Sequence, residues 1–267
     1  MSIIQSVILG LVQGITEFLP VSSSGHLAVL QSIFGLENVP LLYDILLHVS
    51  TLLVVFVIFR KTIFRLLEVF FRFCIGRKKP EDEESLKMIW AVLVATLVTG
   101  IMGILAGKYL MDDYPIKIVG AGFIVTAVLL FLTGLKTIPT TEEKKSPTII
   151  QGLITGFAQG VGVLPGISRS GSTISAALYS GVNREVAGEF SFILSIPAIL
   201  GALILELKDA DNMLQEVSIL PLVAGIISAF VSGFFALKFL VYLIKKGRLF
   251  YFAFYLIPLG LYTIFFL

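Results

Sequence analysis

Displaced by 146 residues, the sequence matches itself: Ile3, Ile4, Gln5, Ile8, Gly10, Gln13 and Gly14 fall on Ile149, Ile150, Gln151, Ile154, Gly156, Gln159 and Gly160. Ser22, Ser24 and Gly25 then fall on Ser168, Ser170 and Gly171, with Pro20 and Pro165 one place out of register. Each matched stretch, 2 to 34 and 149 to 182, is apolar but cut by a Pro/Ser/Gly run. Proline removes a backbone donor and glycine loosens the chain, so one helix should stop at each run and another start just after it, near Gly25 in the first. Three uncut apolar segments follow each broken one, near 42–60, 87–108 and 116–136, then 186–207, 217–244 and 249–267. Composition decides what these segments are. A chain of 267 residues that is 57% hydrophobic and 14% charged, with mean hydropathy +0.97, is an integral membrane protein. The six uncut segments are long enough to cross about 30 Å of hydrocarbon as helices, whereas Leu27 to Leu36 and Ile174 to Val182, at roughly ten residues each, are not. Both broken stretches therefore read as re-entrant hairpins. Because three spans is an odd number, the second half enters the membrane upside down relative to the first. The expected fold is an all-α integral membrane protein with six transmembrane helices and two re-entrant helix hairpins in an inverted-topology repeat. It forms one membrane domain: repeat 1 over 1–136, a cytoplasmic loop over 137–148, and repeat 2 over 149–267.

The charges orient this plan. Arg60, Lys61, Arg65, Arg72, Arg77, Lys78 and Lys79 read as one loop, Lys136, Lys144 and Lys145 as a second, and Lys245, Lys246 and Arg248 as a third. Alternating spans put all three on the cytoplasmic side, with Asp112, Asp113, Asp209, Asp211, Glu216 and both chain ends outside. The first hairpin then enters from outside and the second from the cytoplasm. A net charge of +2 is too small to suggest nucleic acid, the single Cys74 excludes an internal disulfide, and the first apolar segment lacks a signal peptide's basic start and cleavage site.

The broken helices of an inverted repeat meet at one site within the membrane and aim their N-terminal dipole ends at an anionic group. Irregular backbone survives at that depth only where it is buried in protein or lines a wet cavity. Pro20-Val21-Ser22-Ser23-Ser24-Gly25-His26 offers unpaired N–H donors and hydroxyls, which suits phosphate. Pro165-Gly166-Ile167-Ser168-Arg169-Ser170-Gly171-Ser172-Thr173 offers the same backbone, and Arg169 adds a planar fork of donors. Arg169 also reads as the partner of an ion pair with Glu17 or Glu189. Gln13 and Glu17, spaced i, i+4, share one helix face and can hold a divalent cation by oxygen, although Gln13 reads equally well as a helix-packing residue. Hydroxyls, arginine, carboxylate and imidazole around a phosphate position are the parts of a phosphoryl-transfer site.

The Gln13-x-x-x-Glu17 element and the two runs, in this order and spacing, resemble the undecaprenyl-pyrophosphate phosphatases of the bacitracin-resistance type over nearly the whole chain. The resemblance implies a multi-pass enzyme of the plasma membrane that removes the terminal phosphate of a polyprenyl diphosphate and recycles the carrier lipid for cell-envelope synthesis. It also implies a divalent metal, Mg²⁺ or Ca²⁺, a site opening to the outer face, and interlocked inverted repeats. Position by position, Glu17 matches the constant carboxylate and Gln13 a place held by Glu or Gln, both toward the metal. Ser23 matches the proposed nucleophile and His26 the proposed proton carrier or alternative nucleophile. Arg169 with Ser168, Ser170 and Thr173 matches the second phosphate-binding run, and Ser22, Ser24, Gly25, Gly166 and Gly171 complete the substrate loops.

Two other readings compete. Broken helices at the midplane are also a transporter or lipid-flippase plan, and a lipid-phosphate receptor would use the same loops. Crowding of Ser23, His26, Glu17 and Arg169 argues for turnover. Asp44 and His48, also i, i+4, line the cavity or serve helix packing, and Glu189 is a similar case. Trp90 and the tyrosines at 109, 114, 251 and 262 read as interfacial anchors. Small residues along 91–107 and 198–202 allow close helix approach within one chain or between two, so a homodimer is compatible with the sequence.

Overall fold

The computed structural model describes residues 1–36, 39–109, 115–135 and 144–267, and these are helical without strands. In chain order the helices are α1 (Ile3–Phe18), α2 (Ser23–Ile33), α3 (Leu41–Cys74), α4 (Glu83–Tyr109), α5 (Ile116–Leu135), α6 (Ile149–Val161), α7 (Arg169–Tyr179), α8 (Arg184–Glu206), α9 (Ala210–Glu216), α10 (Ile219–Lys245) and α11 (Tyr251–Phe266). Lys136, Asp112, Asp113, Tyr114 and most of the 137–148 connection lie outside the described residues.

The repeat is visible in the way helices begin. Ser2 Oγ accepts from the Gln5 N–H at 3.2 Å while Gln5 Oε1 accepts from the Ser2 N–H at 2.8 Å, a reciprocal cap that starts α1. Thr148 and Gln151 repeat the device at the start of α6, at 3.3 and 2.8 Å. Both hairpins then break as the prolines require, and α2 and α7 follow with Ser22 and Ser168 as their N-caps.

Helix packing keeps the same symmetry and crosses the halves. The first helix of each half lies against a span of the other: α1 along α10, and α6 along α4. Gly10 abuts the Gly225 backbone in one pair and its repeat partner Gly156 abuts the Ala95 backbone in the other, so neither place has room for a Cβ. Hydroxyls add ties across both contacts, Ser228 Oγ to the Val7 carbonyl at 2.9 Å and Thr99 Oγ1 to the Gly156 carbonyl at 3.1 Å. Two further contacts, α5 with α11 and α3 with α8, join corresponding elements of the two halves, and α3 also packs on α10.

Among the described residues, α3, α4, α5, α8 and α10 are long and apolar enough to cross a membrane. The sixth expected span, 249–267, is shorter than expected: α11 has 16 residues and extends about 24 Å at 1.5 Å per residue, less than the roughly 30 Å of hydrocarbon. It is held along α5.

One boundary differs from the expectation. The basic stretch from Arg60 is not a loop: α3 carries Arg60, Lys61, Arg65 and Arg72 to Cys74, with non-helical backbone at Phe59 (φ −97°, ψ 17°) inside it. Beyond that kink the helix keeps an apolar face, with Ile63 and Val69 buried. Arg72 pairs with Glu68 one turn back and with Asp82 ahead of α4. Charges that are paired or carried on long stems do not stop a helix. Arg77, Lys78 and Lys79 do lie in the connection.

The basic groups nonetheless gather at one end. Glu185 at the start of α8 binds Lys144 at 2.7 Å and Lys245 at 3.4 Å, and Glu84 at the start of α4 accepts from the Ser146 N–H at 2.8 Å. The ends of α3 and α10, the starts of α4 and α8, and the 144–148 segment therefore share one side.

The loop before α7 depends on a single backbone choice. Gly166 has φ +79° and faces the Val119 carbonyl, leaving no space for a side chain. Gly166→Ala should cost about 1–3 kcal/mol and lower the thermal unfolding midpoint in detergent. An unchanged midpoint would contradict this packing.

Candidate active site

Ser22 is the residue on which the first loop turns. It has φ +69°, a left-handed conformation that is costly for anything but glycine. Its groups are held from three directions. The Gly25 N–H donates to its Oγ at 3.3 Å, and its carbonyl accepts from the His26 N–H at 3.2 Å and from His26 Nδ1 at 2.7 Å. In the second loop Ser168 Oγ accepts from the Gly171 N–H at 3.0 Å. Each hydroxyl satisfies one of the N–H groups at its helix start and leaves earlier ones open for a ligand.

The two helix starts face a shared cavity of about 210 Å³. Thr16, Glu17, Ser22, Ser23 and Ser24 line it from one hairpin, and Gln159, Gly162, Ser168, Arg169 and Ser170 from the other. His48 of α3, Thr99 of α4, and Ala198 and Ala202 of α8 close the sides.

Glu17 is the hub. Its Oε1 pairs with Arg169 Nη2, joining the two loops. Its Oε2 accepts from Ser23 Oγ at 2.6 Å and Gln13 Nε2 at 3.1 Å, and lies 3.3 Å from His48 Nε2. The carboxylate is almost fully buried, with 5% of its side chain exposed. A buried charge is tolerable only with partners of this kind. Arg169 keeps a further buried nitrogen, Nη1, with no hydrogen-bond partner among the described residues. A buried guanidinium N–H without a partner is a place waiting for an anion's oxygen.

The predicted residues divide clearly. Glu17, Ser22, Ser23, Ser24, Ser168, Arg169 and Ser170 meet at the cavity. Gln13 is fully buried and touches Glu17, outside the cavity lining. Gly25 and Gly171 serve the helix caps, and Gly166 serves the turn. Thr173 bonds Ser191 Oγ at 2.6 Å and the carbonyls of Arg169 and Ser170, tying α7 to α8. His26 also faces elsewhere: Nε2 contacts the Tyr255 hydroxyl at 2.8 Å, and the ring stacks on Tyr255 and meets Phe123 edge-on. Glu189 accepts from Thr62 at 2.5 Å, away from the cavity. Sequence reasoning did not single out Thr99 or Gln159 for the site. Gln159 carried a signal, since it is the repeat partner of Gln13, and Gln159 Nε2 donates to Thr99 Oγ1 at 3.2 Å.

Comparison with known proteins identifies the family. The family model described as bacitracin resistance protein BacA matches residues 6–262. The chain belongs to the BacA family. An undecaprenyl-diphosphatase of Treponema denticola is 55% identical over 261 residues, covering 98% of this chain and 96% of that protein. Proteins of the same name from Carboxydothermus hydrogenoformans and Korarchaeum cryptofilum are 41% and 39% identical, each over at least 95% of both chains. In this BacA-family chain both loops, with the hub that joins them, fall inside the matched residues.

Proposed function

We propose that this chain is a membrane phosphatase that hydrolyses undecaprenyl diphosphate, or a related long polyprenyl diphosphate, to the monophosphate and inorganic phosphate. Recycling of the carrier lipid for envelope synthesis follows from that activity. The observation that carries the reading is Ser23 Oγ bonded to Glu17 at 2.6 Å in the cavity where Arg169 keeps an unpaired N–H. Nucleophile, proton acceptor and anion receptor sit within one small space, which favours turnover over carriage.

In the reaction Ser23 Oγ attacks the terminal phosphorus in line. The Oγ–P bond forms, the bond from phosphorus to the bridging oxygen breaks, and its electron pair leaves with the polyprenyl monophosphate. The serine proton passes to Glu17. Water then attacks the phosphoserine, the P–Oγ bond breaks, the Glu17 proton returns to Oγ, and both water hydrogens leave with the phosphate. Arg169 and the first N–H groups of α2 and α7 neutralise the equatorial oxygens throughout.

A divalent cation fits the residues present. Gln13 Oε1 is a buried oxygen with no hydrogen-bond partner among the described residues, on the same amide whose Nε2 donates to Glu17 Oε2 at 3.1 Å. Gln13 and Glu17 would hold Mg²⁺ or Ca²⁺ through their oxygens. The ion would supply charge neutralisation on the diphosphate.

The cavity is assigned to the outer face of the cell membrane. Its lining residues Ile45, His48, Thr99, Ala198 and Ala202 come from the halves of α3, α4 and α8 away from the basic cluster. The positive-inside rule puts that cluster in the cytoplasm. The described residues 144–148, ahead of α6, lie with that cluster.

The test is release of inorganic phosphate from undecaprenyl diphosphate by purified protein in detergent, with Mg²⁺ or Ca²⁺ and with chelator. The expected result is metal-dependent release. In sealed right-side-out vesicles, an externally added short-chain polyprenyl diphosphate should be cleaved without permeabilisation. An intact, lipid-supplied protein that releases no phosphate would overturn the reading, and cleavage confined to inside-out vesicles would overturn the outward opening.

A further inference from the structure

We propose that His48 is a positioning residue for Ser23, holding the serine hydroxyl toward the reacting phosphorus. This rests on the phosphatase reading above. His48 lies two turns into α3, lines the cavity, and has 23% of its side chain exposed there.

The ring's orientation is fixed from behind. Nδ1 is 2.7 Å from the Asp44 carbonyl, one turn earlier on the same helix. A carbonyl only accepts, so Nδ1 carries the hydrogen and Nε2 is left facing the cavity. The Asp44 side chain in turn accepts from Gln31 Nε2 at 2.9 and 3.2 Å, which ties α3 to α2, the helix that carries Ser23. The spacing of Asp44 and His48 thus sets the register between two elements of the site: one residue clamps α2 and the other reaches its first residue.

At the front, Nε2 is 3.5 Å from Ser23 Oγ and 3.3 Å from Glu17 Oε2. With the 2.6 Å Ser23–Glu17 bond, these three atoms form a closed triangle. Ser23 has one hydrogen and two neighbouring acceptors, so a small rotation of the hydroxyl transfers its bond between them. Glu17 is contested, because Oε1 is engaged by Arg169 and Oε2 also accepts from Gln13. When a diphosphate competes for Arg169 and the carboxylate readjusts, Nε2 is the acceptor whose place does not depend on that pairing. It keeps Oγ from swinging out of line during the rearrangement, and misplacements of about 1 Å are enough to cost about 10²-fold in rate. His26 cannot share this task, since its two nitrogens are spent on Ser22 and Tyr255.

Phosphate release by wild type, His48→Ala and His48→Gln in detergent, with kcat and KM taken separately and each thermal midpoint measured, tests the proposal. His48→Ala should lose about 10²-fold in kcat, with KM within twofold and an unchanged midpoint. His48→Gln, whose amide oxygen can accept from Ser23, should recover most of that loss. Wild-type kcat in His48→Ala overturns the proposal. So does an equal loss in both variants, or a loss that tracks a lowered midpoint, since either would mark a packing role. A wild type that releases no phosphate overturns the phosphatase reading, and this inference with it.

Discussion

Arg169→Ala is expected to release phosphate about 10³-fold more slowly than wild type, the scale of an arginine that stabilises a transferring phosphoryl group. The guanidinium holds Glu17 with one nitrogen and keeps another buried and unpaired, so its removal takes away both the anion receptor and the partner of the carboxylate. Two consequences separate in measurement. Loss of the receptor lowers kcat and raises KM for the diphosphate. Loss of the partner leaves a buried Glu17 charge and should destabilise the protein by about 3–5 kcal/mol. Arg169→Lys retains a charge but not the fork, and should recover stability more fully than rate. Because the two residues act as one unit, Glu17→Gln combined with Arg169→Ala should cost far less than the sum of the single losses. Full kcat in Arg169→Ala with only a lowered midpoint would reduce the pair to a structural link.

Ser23→Ala is expected to lower kcat by about 10³-fold or more, with KM nearly unchanged, because the hydroxyl is needed only once the phosphate is seated. Its neighbours cannot substitute. Ser22 Oγ is bound to the Gly25 N–H and sits on a backbone held in the left-handed region, and Glu17 bonds Ser23 rather than Ser24. Acid quenching during turnover followed by mass spectrometry should find phosphate on Ser23 in the wild type and none on the same loop of the variant. Wild-type turnover by Ser23→Ala would mean that water attacks phosphorus directly, with Glu17 acting on the water.

Much of this site could be read from the sequence because its loops are exceptions to their surroundings. A proline and three serines in an apolar segment have no cheap explanation except a break, and the second run carries an arginine at the same depth. The repeat then required the two breaks to meet. What local sequence withheld is set by distant packing. His26 and His48 are both imidazoles in apolar segments. Which of them faces the serine is decided by Tyr255, far along the chain, drawing His26 aside, and by the Asp44–Gln31 tie drawing α3 against α2. The end of the first span was hidden for a different reason. Arg60 to Arg72 look like loop charges until Asp82 is seen to meet Arg72, a contact that depends on how the chain turns into α4. Thr99 enters the cavity only because α6 lies along α4, and no pattern within either helix announces that.

The crossed packing of the halves also sets a timetable. The ribosome delivers α1 first and its packing surface, α10, almost last, so the hairpin that carries Glu17 and Ser23 waits through the synthesis of nearly the whole chain before its small-residue face is covered. The complementary hairpin does not wait, because α4 precedes α6 and receives it on arrival. A nascent chain halted before α10 therefore has both serine loops but lacks the surface along which α1 lies. Covering of α1 is thus left to the penultimate helix of the chain, while α6 meets a surface already made.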